Sequence, residues 1–255
     1  MNKILVTAIA AAAFGAPALA ADLPVKAPPL VVATVYNWSG IYGGIGVGWM
    51  YDHESVLWPN TLLPINSFSH SGSKVFLDGH VGAQWQFGTI VFGVEAAADT
   101  FSKRDHTGSP QTGCPNAAFT CQAGVANIWT IGPKLGYAFD RFMVYGTGGY
   151  ARGTVESNAF LTATGVFQDS LDQTAKGWFA GGGIDMMALH TNFADIIVGV
   201  EYKHIDLGTV TFLSPADAFN PAGANRRDAS TRIDTISARL DVKFNPWVGP
   251  VVARY

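Results

Sequence analysis

The sequence predicts an all-β fold, and three observations support this prediction. Apolar and polar residues alternate with a period of two in eight separate segments of the chain. The connections between these segments alternate between short turns and long loops, a layout typical of barrels in bacterial outer membranes. Charged residues make up only 14% of the 255 residues, against about 25% in soluble domains. Together these observations predict an eight-stranded antiparallel up-and-down transmembrane β-barrel.

The first twenty residues have the composition of a secretory signal peptide. Lys3 supplies a positive charge, and the apolar run that follows it is too short to span a membrane. Ala18-Leu19-Ala20 has the small-x-small form that signal peptidase requires, so we expect cleavage between Ala20 and Ala21.

The chain after the cleavage site is predicted to have two parts. Residues 21–37 contain Pro24, Pro28 and Pro29, and this composition favours a short, extended, Pro-rich periplasmic lead-in. Residues 38–255 contain all eight alternating segments. They are therefore predicted to form the outer-membrane β-barrel.

Each predicted strand has one mostly apolar face and one face of polar residues or glycine. In the second strand, Val81 and Trp85 lie on the apolar face, whereas Asp78 and His80 lie on the other. The fifth strand is rich in glycine, and its two faces stay unassigned at this stage. All eight segments exceed the roughly 9–11 residues that a tilted strand needs to cross a bilayer. The predicted strands are 38–51, 75–87, 90–101, 125–139, 142–155, 176–189, 193–207 and 232–244.

The connections sort by length, with short turns alternating with long loops along the chain. Outer-membrane barrels place short turns in the periplasm and long loops outside the cell. The predicted periplasmic turns are 88–89, 140–141 and 190–192, and the four predicted extracellular loops are 52–73, 102–124, 156–175 and 208–231.

The apolar face could point outward to lipid or inward, as it does in a soluble lipocalin-like barrel. Scarce charge, glycine-rich polar faces suited to a crowded interior, and aromatic residues near both strand ends favour the membrane barrel. The belt predicted towards the loops contains Trp49, Tyr51, Trp129, Tyr150, Trp178 and Tyr202. The belt predicted towards the turns contains Trp38, Trp85, Phe87, Tyr137, Phe139 and Phe244.

Six short strings follow one another along nearly the whole mature chain. They are ALAADLPVKAPP, YNWSGIYGGIGVGW, GYAFDRF, YGTGG, GWFAGGGID and EYKHIDLG. These strings resemble those of the small outer-membrane surface antigens, the porin-family proteins of the OmpA-like eight-stranded β-barrel superfamily. The resemblance implies a location in the outer membrane of a Gram-negative bacterium. It also implies an aromatic assembly signal read by the barrel-assembly machinery, and either Phe244 or Tyr255 could serve as that signal.

Charged residues on the polar faces are predicted to meet in the lumen. Eight strands leave an interior just wide enough for side chains, and an unpaired ion buried there would cost several kcal/mol. We therefore expect a plug of paired charges, with an ion path as the alternative. The predicted lumen charge network consists of Asp78, His80, Glu95, Asp99, Lys134, Asp185, Glu201, Lys203, Arg239, Asp241 and Lys243.

The sequence offers weak candidates for catalysis or metal binding. Ser69-His70-Ser71 lies in a predicted loop with no obvious acid to orient the histidine. Asp52-His53-Glu54 places its ligand types at adjacent positions, which point to opposite sides of a strand. We therefore expect no enzyme activity, no metal and no cofactor.

Cys114 and Cys121 lie in the second predicted loop, separated by six residues. An exported chain folds in an oxidising compartment, where disulfides form. We therefore expect a disulfide between them, which would stabilise the fold by roughly 2–2.5 kcal/mol in the chain-entropy model.

The expected partners are those of an outer-membrane protein. Lys103-Arg104 and Arg226-Arg227 lie at predicted loop positions, where they could bind lipopolysaccharide phosphates or remain solvated. We expect outer-membrane lipid, lipopolysaccharide and, during biogenesis, the barrel-assembly machinery as partners of a monomer that binds no nucleic acid.

These observations favour a structural, surface-exposed barrel that supports envelope integrity and contacts outside the cell. A narrow porin-like diffusion channel is one alternative. A barrel whose loops bind a ligand or a host component is the other. Conductance of the purified protein would separate the first two functions.

Overall fold

A computed structural model describes the barrel strands, the turns at one end and a few residues of the longer connections. The signal-peptide cleavage site, residues 21–35, Cys114 and Tyr255 lie outside the described residues, so the predictions made for them are untested. Cys121 lies in a described strand, but the predicted disulfide involves Cys114 and also remains a prediction. The described ranges are 36–59, 67–101, 119–161, 163–164, 167–191, 193–214 and 225–244.

Eight antiparallel strands form one closed barrel in the order of the chain, which confirms the predicted fold class. The last strand pairs with the first and closes the ring. The described residues include no helix that is long and apolar enough to cross a membrane. The strands are β1 (Gly40–Leu57), β2 (Ser67–Phe87), β3 (Ile90–Phe101), β4 (Phe119–Phe139), β5 (Phe142–Leu161), β6 (Phe167–His190), β7 (Asp195–Ser214) and β8 (Asn225–Phe244).

Short connections join the strands at one end of the barrel, the turn end. Two-residue turns follow β2 and β4, with positive φ at Gly88 (61°) and Asp140 (52°). Asp tolerates this left-handed conformation better than most residues. The third connection spans 191–194, rather than the predicted 190–192, because β6 continues through His190 and β7 begins at Asp195 instead of the predicted residue 193.

At the opposite end, the loop end, the strands run further than the sequence predicts. Residues 52–57 continue β1, and the loop before β2 shrinks from 52–73 to 58–66. The predicted loops 156–175 and 208–231 also begin and end within strands, whereas 102–124 begins directly after β3 and only its end lies within β4. The remaining connections are 102–118, 162–166 and 215–224. Backbone ladder bonds continue there although the outer face turns polar, so hydropathy alone marks the strand ends too early.

Side chains alternate between the outer surface and the lumen along each strand. The structure also assigns the faces of β5, where Met143 and Tyr145 point inward and Val144 points outward. Charged side chains on the inner face are most numerous in its middle part, which we call the ionic belt. Apolar side chains form a layer on the inner face at each end of the ionic belt. The sequence predicts a polar inner face at some of these positions.

The loop-end apolar layer consists of Met50, Val56, Trp58, Phe76, Val125, Ile128, Ala151, Val155, Ala175, Phe179, Ile205, Leu207, Phe212, Ala229 and Ile233. The turn-end apolar layer consists of Trp38, Val91, Ala138, Met143, Tyr145 and Ile197, with Tyr36 packed against it. The core of this barrel is therefore its lumen, filled in three successive layers.

Candidate functional site

All eleven residues predicted for the lumen charge network are buried on the inner face. They come from β2, β3, β4, β6, β7 and β8, and ten of them lie in the ionic belt. Lys243 is the exception, because it lies one step from the turn end and contacts a different carboxylate. The ten residues of the ionic belt are Asp78, His80, Glu95, Asp99, Lys134, Asp185, Glu201, Lys203, Arg239 and Asp241.

Arg239 lies at the centre of the ionic belt. Its guanidinium donates two hydrogen bonds to the Glu95 carboxylate, at 3.0 and 2.8 Å, and one to Glu201 at 2.5 Å. A guanidinium matches a carboxylate with two parallel donors, which makes such pairs strong and directional. Arg239 therefore joins β8 to β3 and β7 across the lumen.

Lys134 and Lys203 add two further cations around this centre. Lys134 Nζ lies 3.1 Å from Asp185 and 3.7 Å from Glu95. Lys203 Nζ lies 2.7 Å from Glu201 on its own strand. The three cations Arg239, Lys134 and Lys203 thus each contact at least one carboxylate, so none of them is buried without a partner.

Two tyrosines that the sequence analysis did not select complete the ionic belt. Tyr42 donates a hydrogen bond to Glu95 and Tyr145 donates one to Glu201, both at 2.8 Å. The ammonium of Lys134 lies 3.8 Å from the centre of the Tyr145 ring, a cation–π contact. Tyr42 was detectable in principle, because it alternates with glycines on the inner face of β1.

His80 bridges two aspartates in the same belt. Its Nδ1 contacts Asp78 and its Nε2 contacts Asp241, while Asp99 lies opposite Asp78 on β3. A charged imidazolium would donate through both nitrogens at once. The arrangement joins β2 to β8 behind the glycines of β1.

Glycines leave the space that these side chains occupy. A Cβ added at Gly82 would lie 2.5 Å from the Tyr42 ring. One added at Gly44 would collide with His80 and Asp241. These close approaches explain why β1 and β2 carry glycine on the inner face.

The turn end is closed by residues that precede β1. Trp38 is completely buried, its backbone NH donates to Gln86 at 2.7 Å, and its carbonyl accepts a hydrogen bond from Gln84 at 2.7 Å. The prediction that Trp38 belongs to an outer aromatic belt is therefore wrong. Two glutamine side chains hold it in the mouth of the barrel instead.

An ion pair secures the same closure. Lys243 lies 3.1 Å from Asp195 and also donates to the backbone carbonyl of Asn37. Tyr36 donates a hydrogen bond of 2.7 Å to Asp195. Burial and the adjacent carboxylate raise the pKa of Tyr36 above its ordinary value, so the phenol keeps its proton and remains a donor.

The other predicted aromatic residues form two belts on the outer surface. The belt towards the loops consists of the exposed side chains of Trp49, Tyr51, Trp129, Tyr150, Trp178 and Tyr202. The belt towards the turns consists of the exposed side chains of Trp85, Phe87, Tyr137, Phe139 and Phe244. In β1, the segment from Ile41 to Tyr51 has the length of a membrane-crossing strand, about 9–11 residues.

The three residues of the weak metal-binding candidate do not share one face of β1, and the weak catalytic candidate includes a side chain that is not described. Asp52 and Glu54 point inward, whereas His53 points outward and contacts Ser71 at 2.8 Å. The side chain of His70 lies outside the described residues. Within the described ranges, no group of three or more His, Cys, Asp or Glu side chains is arranged to hold a metal ion.

Only one of the two predicted basic pairs lies within the described residues. Lys103-Arg104 lies outside the described residues. Arg226 pairs with Asp228 at 3.0 Å, and Arg227 is buried. Arg226-Arg227 therefore does not present two free cations side by side on the surface.

Comparisons with known proteins agree on the class of fold. Residues 6–244 match a family described as outer membrane protein beta-barrel domain. The chain is 30% identical over 264 aligned residues to the 31 kDa outer-membrane immunogenic protein of Brucella melitensis, which covers 95% of this chain and 100% of that protein. The Brucella suis protein of the same name matches equally.

Two solved structures illustrate the similarity in three dimensions. Neisserial surface protein A has 15% sequence identity and a TM-score of 0.33, covering 78% of this chain and 97% of that chain. The outer membrane protease OmpT of Escherichia coli has 9% identity and a TM-score of 0.43, covering 83% of this chain and 99% of that chain.

Proposed function

Because the chain belongs to the family of outer membrane protein β-barrel domains, we propose that it is a closed, structural barrel of the outer membrane. In this proposal it supports envelope integrity and displays its four loops outside the cell. The observation that carries the proposal is the filled lumen, in which an ionic belt lies between two apolar layers.

The filling of the lumen supports a role without solute transport. A hydrated ion would have to pass the apolar layers and then separate Arg239 from Glu95 and Glu201. Separating buried ion pairs leaves uncompensated charges and costs several kcal/mol. The contacts that obstruct the lumen therefore also make the barrel rigid. In this proposal the chain catalyses no reaction.

Conductance in planar bilayers and sugar uptake in liposome swelling assays test this proposal. We expect small, infrequent conductance and no sugar uptake by the unmodified protein. Arg239→Ala should raise the conductance, because it opens the belt. Arg232→Ala is the matched control, since Arg232 is exposed on the same strand and pairs with Asp206. Steady conductance by the unmodified protein would favour the porin-like channel instead.

We further propose that lipopolysaccharide phosphates contact the outer surface just above the loop-side aromatic belt. Arg152 on β5 and Lys176 on β6 are directly opposite one another and exposed. The next pair on the outer face towards the turn end is Tyr150 and Trp178. Within the described part of the chain, neither basic residue is paired with a carboxylate. Like charges at directly opposite positions repel, so a bound anion between them would be favourable.

A neighbouring acid is already engaged elsewhere. Asp206, opposite Trp178, accepts hydrogen bonds from Arg232 at 3.3 Å and from the backbone NH of Gly208 at 2.8 Å. The pair Arg152 and Lys176 therefore remains available for a phosphate group at the membrane surface.

Retention of lipopolysaccharide during purification tests this partner. The double variant Arg152→Gln and Lys176→Gln should retain roughly tenfold less lipopolysaccharide, because two charge-assisted contacts are lost. Arg232→Gln should retain as much as the parent. Equal retention by all three proteins would contradict the assignment of this surface.

A further inference from the structure

Two carboxylates at the loop end of β1 are buried without partners. Asp52 and Glu54 lie two residues apart on the inner face and are 4% and 1% exposed. Within the described part of the chain, neither Glu54 carboxylate oxygen has a hydrogen-bond partner, and Asp52 Oδ1 has none. Buried polar atoms are normally paired, because their desolvation is otherwise uncompensated. These oxygens therefore require a partner that the described side chains do not supply.

A third unpartnered oxygen faces the same part of the lumen. Thr231 lies directly opposite Glu54 on β8 and is 1% exposed. Its Oγ1 also lacks a hydrogen-bond partner. Opposite residues in such a ladder have Cβ atoms about 4.5–5.5 Å apart, and same-face neighbours on one strand are about 6.6 Å apart. Asp52, Glu54 and Thr231 are thus neighbours on the inner face across the β1–β8 seam.

The surroundings of this cluster are apolar. Met50 and Val56 flank the carboxylates on β1, and Ala229 and Ile233 flank Thr231 on β8. Charges interact more strongly in such an environment than in water. The two acidic side chains also repel one another, so a positive charge placed between them would be favourable.

The nearby basic side chains do not supply that charge through direct contact. Lys74 and Arg227 lie on the inner face at this end of the barrel. Neither donates a hydrogen bond to Glu54, whose two carboxylate oxygens are unpartnered. The cluster differs in this respect from the ionic belt, where lysine and arginine bind the acids directly.

We propose that Asp52, Glu54 and Thr231 form a binding site for a divalent metal cation, with Ca²⁺ as the ion it fits best. The donors are all oxygen, which hard cations prefer to the nitrogen and sulfur ligands favoured by zinc or copper. Ca²⁺ accepts six to eight oxygen ligands in variable geometry, so water can complete a shell begun by these side chains. The bound ion connects the first and last strands where the barrel closes.

Terbium luminescence tests the site in the intact folded chain. Trp58 belongs to the same apolar layer and can sensitise Tb³⁺ bound close to it. In phosphate-free detergent we expect saturable Tb³⁺ emission that Ca²⁺ displaces. Glu54→Gln and Asp52→Asn should each weaken Tb³⁺ binding by about tenfold or more, because a carboxylate ligand is lost.

The matched control is Asp234→Asn. Asp234 is on β8 but accepts hydrogen bonds from Tyr202 and His204, so its removal should leave Tb³⁺ affinity within about twofold of the parent. Trp58→Phe should remove the emission while Ca²⁺ still raises the unfolding temperature. If Glu54→Gln does not fold, Asp52→Asn and Thr231→Val provide the same comparison.

Three results would overturn the proposal. The first is emission that does not saturate, and the second is equal weakening by Asp234→Asn and the site variants. The third is an unfolding temperature of the parent that is unaffected by Ca²⁺. That third result would show that the buried carboxyl groups are neutralised by protons and not by an ion.

Discussion

The ionic belt and the loop-end carboxylates face the same lumen but bury their charges differently. Glu95 and Glu201 receive hydrogen bonds from Arg239 and from two tyrosines. Glu54 is buried to the same degree, yet none of the described residues donates a hydrogen bond to it. The difference shows that burial of an acid within this barrel does not by itself reveal what neutralises the acid. The partners come from strands far away in the chain, or from outside the protein.

Removing the central cation should have the largest effect on this comparison. Arg239→Ala removes the guanidinium that binds Glu95 and Glu201, so that only Lys134 at 3.7 Å and Lys203 at 2.7 Å remain as cations beside them. The substitution should lower the free energy of unfolding by about 3–5 kcal/mol. Urea unfolding of the protein in lipid vesicles measures this value. Arg232→Ala removes an exposed ion pair and should cost less than about 1 kcal/mol. Similar losses in the two variants would contradict a central role for the ionic belt.

The apolar layer beside the loop-end carboxylates should respond to a cavity. Ile128 is completely buried, and Ile128→Ala should cost about 3 kcal/mol through lost burial and an unfilled space. Ile131 lies on the outer surface of the same strand, so Ile131→Ala should cost distinctly less. The same urea titration compares them. A larger loss at Ile131 would reverse the assigned faces of β4.

Overpacking tests the space around the ionic belt. Gly82→Ala should cost about 1–3 kcal/mol, because the added Cβ would lie 2.5 Å from the Tyr42 ring. At Gly79, on the same strand, no heavy atom lies within 4 Å of an added Cβ. Gly79→Ala should therefore be close to neutral, and equal losses would argue against close packing around Tyr42.

The smallest effect is expected at Glu54 in the presence of a chelator. Glu54→Gln removes no hydrogen bond from a described residue, so the free energy of unfolding should change by less than about 1 kcal/mol. Glu95→Gln should cost several kcal/mol under the same conditions, because it breaks a buried ion pair. Adding Ca²⁺ should stabilise the parent but not Glu54→Gln. If Glu54→Gln and Glu95→Gln lower the free energy of unfolding by comparable amounts in chelator, the loop-end carboxylates and the ionic belt do not differ in how their charges are paired.

Period-two alternation predicted the number of strands and the face on which most side chains lie. This succeeds because side-chain direction in a strand is a local property of the backbone. Val81 and Asp78 therefore separate to the outer and inner faces as the sequence indicates. At the loop end the signal fades, because polar residues such as His53 and Ser55 occupy the outer face of β1. At this end of the barrel, most of the predicted strands are consequently several residues too short.

Trp38 shows a second feature that could not be predicted from the sequence. An aromatic residue beside a strand end is compatible with an outer belt or with a plug in the mouth of the barrel. Its burial depends on hydrogen bonds with Gln84 and Gln86, which are far from it in the chain. The predicted signal peptide and the disulfide between Cys114 and Cys121 remain predictions, because each includes residues outside the described ranges.

The sequence by itself therefore determines an eight-stranded barrel with an apolar outside and charged residues within, because strand periodicity is local. The partners of those charges follow only from the closed ring. Arg239 meets Glu95 although 144 residues separate them, and β1 meets β8 only when the sheet closes. That closure pairs the ions of the belt, and it also brings Thr231 opposite the unpaired Glu54. No local pattern contains this information, because it depends on the register of every strand pair around the ring.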